Sequence, residues 1–270
     1  MTNRTILITG STDGVGRRVA QRLAAEGVTL LVHGRDHGRG ESLVADIEKA
    51  GGKAIFYRAD LASLDDVRAL AGAITGGHNH LDLLINNAGI GTGSRGEGRQ
   101  MSRDGYELRF AVNYLAGFLL TRMLLPLLQK SRSARIVNVA SAGQQAIDFS
   151  DVMLEHGYSG VRAYRQSKLA QIMFTFDLAL EFDSMLITAN CLHPATYMDT
   201  TMVRQSGVQP MSTVDQGADA ILNLAVSPAM KGRSGLYFDG LRESQANPQA
   251  YDATARAQLR RLSLDLVKSS

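Results

Sequence analysis

The chain reads as an α/β protein with a doubly wound parallel sheet and helices on both faces. Three observations predict this. Runs at 5–8 and 28–32 are continuously apolar, as strands buried on both faces are, and a stretch of helical spacing separates them. A glycine-rich turn joins the first run to that helix. Strand-like and helical segments then keep alternating, and no repeat, linker or low-complexity stretch in 270 residues asks for a second domain.

The first run ends in Thr9-Gly10-Ser11-Thr12-Asp13-Gly14-Val15-Gly16. Val19, Ala20, Leu23 and Ala24 follow at helical spacing, closed by Gly27, before the second run. Glycines at 10, 14 and 16 let a backbone approach a pyrophosphate, and the helix offers its free N–H groups to the phosphates. The second strand ends His33-Gly34-Arg35-Asp36. A carboxylate at its tip would bind ribose hydroxyls and repel a 2′-phosphate. Here Gly34 leaves room and Arg35 offers a bidentate phosphate partner, with Arg17 and Arg39 as further charge, so NADP(H) is favoured over NAD(H).

A third strand, 53–57, leads to Asp60 and Leu61. Asp60 either accepts from an adenine amino group or caps the next helix, 64–74. The fourth strand, 81–85, ends in Asn86-Asn87-Ala88-Gly89, where amides and small residues let a cofactor pass close and brace the sheet. A long helical stretch, 106–128, carries Asn113 among apolar residues; its apolar part, 114–128, is broken by Arg122 and Pro126 and reads as a buried helix too short to span a bilayer. The strand 135–140 delivers Ser141 to the carboxyl edge of the sheet, where ligands bind, although a Ser there also suits a helix cap. Tyr164 and Lys168 stand one helical turn apart, about 6 Å in rise, on one face of the helix 162–182. An ammonium beside a phenol stabilises phenolate and lowers a pKa that starts near ~10.

Composition is that of an ordinary folded chain, with 44% hydrophobic and 20% charged residues. A net charge of +3 with scattered basic residues gives no footprint for nucleic acid. The single cysteine, Cys191, excludes an internal disulfide framework and fits a reducing compartment. Residues 1–5 run straight into a strand with no secretory signal, so a cytoplasmic protein without a membrane partner is expected.

Three motifs in order, Thr9-Gly-x-x-x-Gly-x-Gly16, Asn86-Asn-Ala-Gly89 and Tyr164-x-x-x-Lys168, resemble those of the short-chain dehydrogenase/reductase family along the whole chain. The resemblance implies a single-domain Rossmann-type fold over 1–270 that exchanges hydride between a nicotinamide and a carbonyl or alcohol substrate. It implies a catalytic set of Asn113, Ser141, Tyr164 and Lys168. In the family this Asn anchors a water that relays protons to the lysine, the Tyr is the proton donor or acceptor, and the Lys also holds the nicotinamide ribose. His193-Pro194-Ala195-Thr196 corresponds to the element beside the nicotinamide, with Ala195 replacing the usual glycine and the downstream threonine ambiguous among Thr196, Thr200 and Thr201; His193 reads as structural. The expected cofactor set is Gly10, Ser11, Thr12, Asp13, Gly14, Val15, Gly16, Arg35, Asp60, Leu61, Asn86, Ala88, Gly89, Tyr164, Lys168, Pro194 and Thr196, and no metal is expected.

The stretch between Ser141 and Tyr164 is longer than in many family members. This insert (143–161), together with Gly105-Tyr-Glu, Ser167-Lys-Leu-Ala170 and Leu192-His-Pro194, is similar to the retinol dehydrogenase-like branch, which handles lipophilic or bulky substrates. Tyr237-Phe238 and 259–267 also fit, with Leu where a Trp is usual. Substrate walls are expected from the insert, around Phe149 and Met153, and from a methionine-rich lid, 196–212. The loop 90–103 reads equally as an entrance or a flexible connection. A C-terminal helix over 248–267, begun by Asn247-Pro248, carries one apolar stripe: Tyr251, Ala255, Leu259, Leu262 and Leu266. In relatives the helices 106–128 and 162–182 pair between subunits, which implies a homodimer or homotetramer. Two other readings compete: a catalytically silent NADP(H)-sensing regulator, which would not need Ser141, and a nucleotide-sugar epimerase or dehydratase, whose glycines are usually spaced differently.

Overall fold

The computed structural model describes residues 4–94, 96–205 and 207–268. The start of the N-terminal segment (1–3), Arg95 in the 90–103 loop, Ser206 in the expected lid and residues 269–270 lie outside the described residues. Among those described, eight strands form one sheet in the order β3-β2-β1-β4-β5-β6-β7-β8. They are β1 (Arg4–Ile8), β2 (Val28–Gly34), β3 (Lys53–Arg58), β4 (Leu83–Asn86), β5 (Ala134–Val139), β6 (Ile187–His193), β7 (Tyr237–Asp239) and β8 (Arg242–Ser244). All neighbouring pairs are parallel except the last.

Alternation across the pleat explains the continuous apolar runs. Leu7, Leu31, Leu84 and Ile136 point into one core layer, while Ile6, Ile8, Leu30, Val32, Leu83, Ile85 and Val137 point into the other. Helices α1 (Gly14–Leu23), α2 (His37–Lys49) and α8 (Val214–Val226) cover the second layer; α3 (Leu64–Gly77), α4 (Leu108–Phe110), α5 (Ala116–Leu128), α6 (Gly160–Glu181) and α9 (Ala253–Lys268) cover the first. The strand order reverses at β1, whose neighbours are β2 and β4. At such a switch point the loops leaving the strands part in opposite directions and open a crevice for ligand.

Four local expectations are corrected. Asp60 does not cap α3: Ser63 does, accepting from the Asp66 amide at 3.2 Å. The stretch 106–128 is not plain α-helix, because a π-turn, Ala111–Leu115, joins α4 to α5 around Asn113. Taken together, Leu108–Leu128 is long and apolar enough to cross a membrane, contrary to the expected short run, but most of it is buried within the molecule. The C-terminal helix is two elements, a 3₁₀ turn (Pro248–Tyr251) and α9, parted by Asp252, whose carboxylate accepts from the amides of Thr254 and Ala255. Tyr251 therefore leaves the apolar stripe and packs its ring at a tilt against Phe176, ring centroids 5.2 Å apart, while Ala255 and Leu259 are buried.

α9 also lies across the helices expected to pair between subunits. Ser263 meets the buried Tyr114 hydroxyl at 2.6 Å, and Arg256 pairs with Asp177 of α6 at 2.9 Å. The face bearing Tyr114 is thus covered from within the chain.

Candidate active site

The turn after β1 is braced before any ligand arrives. Gly10 adopts φ +63°, and a Cβ there would sit 2.8 Å from Ala88 Cα; at Gly16 one would overlap the Gly10 carbonyl and the Asn87 amide. Only glycine allows this approach of the turn to the end of β4. Asn87 donates to the carbonyls of Thr9 and Gly10 at 2.9 and 3.0 Å, and Thr9 Oγ1 accepts from the amides of Asn87 and Ala88. Thr9 and Asn87 were not among the expected site residues, although both lie within the motifs.

Several expected cofactor residues have internal duties. Ser11 is fully buried: its hydroxyl accepts from the His33 amide at 2.9 Å and its own amide donates to the His33 carbonyl. The Asn86 amide turns beneath the sheet edge, donating to Thr121 at 3.0 Å and Asn138 at 2.8 Å. The Leu61 and Val15 side chains join the two core layers. The side chains of these four are engaged within the protein, which leaves their backbone to face the crevice. Asp13 caps α1 by accepting from Gly14, and Arg39 holds its other oxygen at 3.0 Å. The first-turn amides of Val15 and Gly16 are groups that helix geometry leaves open.

This cradle fits a dinucleotide pyrophosphate: the glycines are demanded by backbone contacts, and a helix N-terminus opens onto it. At the end of β2, Gly34 does not leave empty room; a Cβ there would overlap the Thr12 side chain, so the glycine accommodates Thr12. The Arg35 side chain is 70% exposed and lies 3.9 Å from Asp60, with Arg103 4.0 Å from the same carboxylate. Asp60 accepts from the Ala62 amide at 3.1 Å. Arg17 pairs instead with Asp46 at 2.6 Å, on α2.

Across the crevice, Asn113, Ser141, Tyr164 and Lys168 converge. The π-turn turns the Asn113 side chain into the loop after β4, where it donates to the Ile90 carbonyl at 3.1 Å and accepts from the Ile90 amide at 2.7 Å. It also donates to Ser167 at 3.0 Å. Gly89 lies between Asn113 and Lys168; a Cβ on it would meet Asn113 Oδ1 at 3.2 Å and Lys168 Nζ at 3.4 Å. Ser141 Oγ and the Tyr164 ring both face Gly143, where a Cβ would meet them at 3.4 and 3.8 Å, and Ser141 accepts from the Gly143 amide at 3.0 Å. Tyr237 and Gln144 both donate to the Ser141 carbonyl, fixing the end of β5.

The expected lowering of the Tyr164 pKa by Lys168 is not what this environment does. Burial pushes the phenol up, and the Ser141 hydroxyl only partly offsets it. Lys168 Nζ lies 5.9 Å from the Tyr164 ring centroid but donates to the Val139 carbonyl at 2.9 Å and to Gln171 at 3.3 Å. Burial pushes the lysine down to about 8.

Beyond β6, Pro194 is buried, and His193 Nε2 pairs with Thr196 Oγ1 at 3.2 Å. Thr200, not Thr196, reaches the phosphate turn: a Cβ on Gly14 would stand 3.3 Å from its methyl group. The segment after it forms a short helix, α7 (Thr201–Gln205), and Met202 covers Gly91. The insert is tied down rather than loose. Gln249 pairs with both backbone atoms of Ile147, Gln166 donates to Ala146, and Arg99 donates to Met153. Among the described residues no group of three His, Cys, Asp or Glu side chains is placed to hold a metal.

Comparison with known proteins adds independent support. Residues 4–210 match the family model for short chain dehydrogenase. Retinol dehydrogenase 14 of Mus musculus is 33% identical, covering 96% of this chain and 84% of the relative. Polyprenol dehydrogenase of Mus musculus is 34% identical, covering 94% and 79%. A crystal structure from Mycobacterium paratuberculosis superposes with a TM-score of 0.81 at 29% identity, covering 99% of this chain and 94% of that one. The Pseudomonas aeruginosa RhlG/NADP active-site complex superposes at 0.71 with 27% identity, covering 88% and 95%. With the family model matched over residues 4–210 and relatives more than 30% identical covering 96% of the chain, it belongs to the short-chain dehydrogenases, in their retinol dehydrogenase-like branch, and is an oxidoreductase acting on CH–OH and carbonyl groups.

Proposed function

We propose that the protein is an NADP(H)-dependent oxidoreductase that interconverts a bulky or lipophilic carbonyl compound and its alcohol. The observation that carries the reaction is the convergence of Ser141, Tyr164 and Lys168: Ser141 Oγ and the Tyr164 ring both face Gly143, and Lys168 Nζ lies 5.9 Å from that ring. The nicotinamide, when bound, supplies the hydride acceptor or donor. Tyr164, kept protonated by burial, donates its proton to the substrate oxygen in reduction and takes it back in oxidation. Ser141 offers a second hydrogen bond to the oxygen as charge develops there. Lys168, charged and desolvated, favours the phenolate that remains and would hold the nicotinamide ribose. Asn113 holds the loop after β4 against this group.

Arg35, exposed at the tip of β2 with Arg103 across Asp60, supports a preference for a 2′-phosphate. Similar structures were solved with NADP, from Shigella flexneri and Pseudomonas aeruginosa. The names of the retinol and polyprenol dehydrogenases support a lipophilic substrate, as do Met202, which lies against Gly91, and Met211, both exposed on the 196–212 segment. A homodimer or homotetramer would have to form on surface that α9 leaves open, such as exposed Met123 and Leu180. Steady-state turnover of aldehydes, ketones and alcohols with each cofactor tests the assignment. Turnover of long-chain substrates with NADP(H) is expected, and cofactor binding without turnover across the panel would contradict it.

A further inference from the structure

Lys168 carries three N–H donors and no acceptor, so its aim depends on what accepts from it. Two of the three are accounted for: the Val139 carbonyl at 2.9 Å and Oε1 of Gln171 at 3.3 Å. Gln171 lies a turn further along α6 and is 4% exposed. Its amide nitrogen donates to the Asn86 carbonyl at 3.5 Å. A carbonyl can only accept and an ammonium can only donate, so the two ends of the Gln171 amide cannot exchange places.

Behind Gln171 stands a closed set of buried polar contacts. Thr175 donates to the Gln171 backbone carbonyl at 2.8 Å and accepts from Asn138 at 2.8 Å; Asn138 accepts from Asn86 at 2.8 Å, and Asn86 also donates to Thr121 at 3.0 Å. This set joins β4, β5, α5 and α6 directly beneath the site. We propose that Gln171 is a positioning residue for the reaction: it keeps the Lys168 ammonium charged and fixed toward the sheet, leaving the third N–H for the cofactor side. The inference rests on the reading of Lys168 given above.

Burial disfavours a charged lysine, and hydrogen bonds to the ammonium favour it. Gln171 supplies the side-chain acceptor, and no carboxylate among the described residues acts on Lys168. The titratable groups facing it are Tyr164 on its own helix and His193 at the end of β6, itself held down by burial and by the lysine charge. β4, β5 and the π-turn contribute amides, a hydroxyl and backbone. Losing the Gln171 carbonyl should therefore release the proton at lower pH, and a carboxylate in its place should hold it to higher pH.

The test is an NMR titration of selectively labelled lysines in the cofactor-free protein, with Lys168 assigned through Lys168→Met. Gln171→Leu should move the Lys168 midpoint down by about one pH unit, and Gln171→Glu should move it up by about as much. Thr175→Val, which loosens the same polar set without touching the ammonium, should leave the midpoint in place. The pH profile of turnover should move in the same directions. If Gln171→Leu does not fold, the Gln171→Glu titration decides. A midpoint that neither substitution moves overturns the proposal. A midpoint that moves under an unmoved turnover profile overturns the reading of Lys168 in turnover rather than Gln171's hold on it.

Discussion

The Arg109 guanidinium donates to the Tyr158 phenol oxygen at 2.6 Å, and Tyr158 donates onward to the Glu107 carboxylate at 3.1 Å. Arg109 and Glu107 are 2% and 1% exposed. Arg109 also donates to the Gly91 carbonyl at 2.9 Å, so this buried group clamps the loop after β4 to the insert. Burial and the Glu107 charge push Tyr158 up to about 12, which keeps it a donor.

Removing that phenol should therefore be costly. Tyr158→Phe loses two hydrogen bonds to charged groups and is expected to lower stability by about 2–3 kcal/mol. Arg109→Leu strands the Glu107 carboxylate and should cost more, about 3–5 kcal/mol. Urea denaturation measures both; wild-type stability in either variant would contradict the clamp.

Cofactor choice should reside in Arg35. Arg35→Ala is expected to weaken NADPH by roughly 10–100-fold, the worth of hydrogen bonds to a charged phosphate, and to leave NADH within about twofold. Equilibrium binding to both cofactors checks this. Equal losses would show that Arg35 does not read the 2′-phosphate.

His33 ties acid stability to the phosphate turn. Its Nδ1 accepts from the Gly10 amide at 3.1 Å, which requires the neutral ring, and burial pushes its pKa down to about 4. An unfolded histidine titrates near ~6.5, so between those values the unfolded chain binds the proton and the folded chain does not. Stability should fall as pH drops through that window, by roughly 3 kcal/mol in all, and level off below it. His33→Gln should flatten this slope in denaturation series at several pH values; an unchanged slope would contradict the assignment.

The insert hangs on Gln249, whose amide accepts from the Ile147 amide at 2.6 Å and donates to the Ile147 carbonyl at 3.0 Å. Gln249→Ala should free this edge at a cost of about 1–3 kcal/mol. The expected signature is a raised KM for the carbonyl substrate, unchanged NADPH affinity and faster amide exchange around Ile147. A changed NADPH affinity with an unchanged KM would place the insert on the wrong side of the site.

Much of this was legible in the chain because backbone geometry enforces it. Gly10 and Gly16 are dictated by contacts that no Cβ tolerates, and continuous apolar strands announce a sheet buried on both faces. Tyr164 and Lys168 share a helix face because helix pitch requires it. What stayed hidden depends on partners distant in sequence. Nothing local shows that Asn86 turns under the sheet while its neighbour Asn87 holds the turn. Nor does local spacing show that Thr200 rather than Thr196 reaches Gly14, or that Gln249 closes on Ile147. The π-turn at Asn113 escaped because its composition is that of any buried helix. The direction of the Tyr164 shift escaped because spacing to Lys168 says nothing about where the ammonium's donors go.

Tyr164 carries the central claim. Single-turnover hydride transfer, followed by NADPH absorbance in Tyr164→Phe, tests it most directly. Loss of the proton donor should slow transfer by at least about 100-fold, with NADPH affinity within a few fold of wild type. Transfer at close to the wild-type rate in the variant would contradict it.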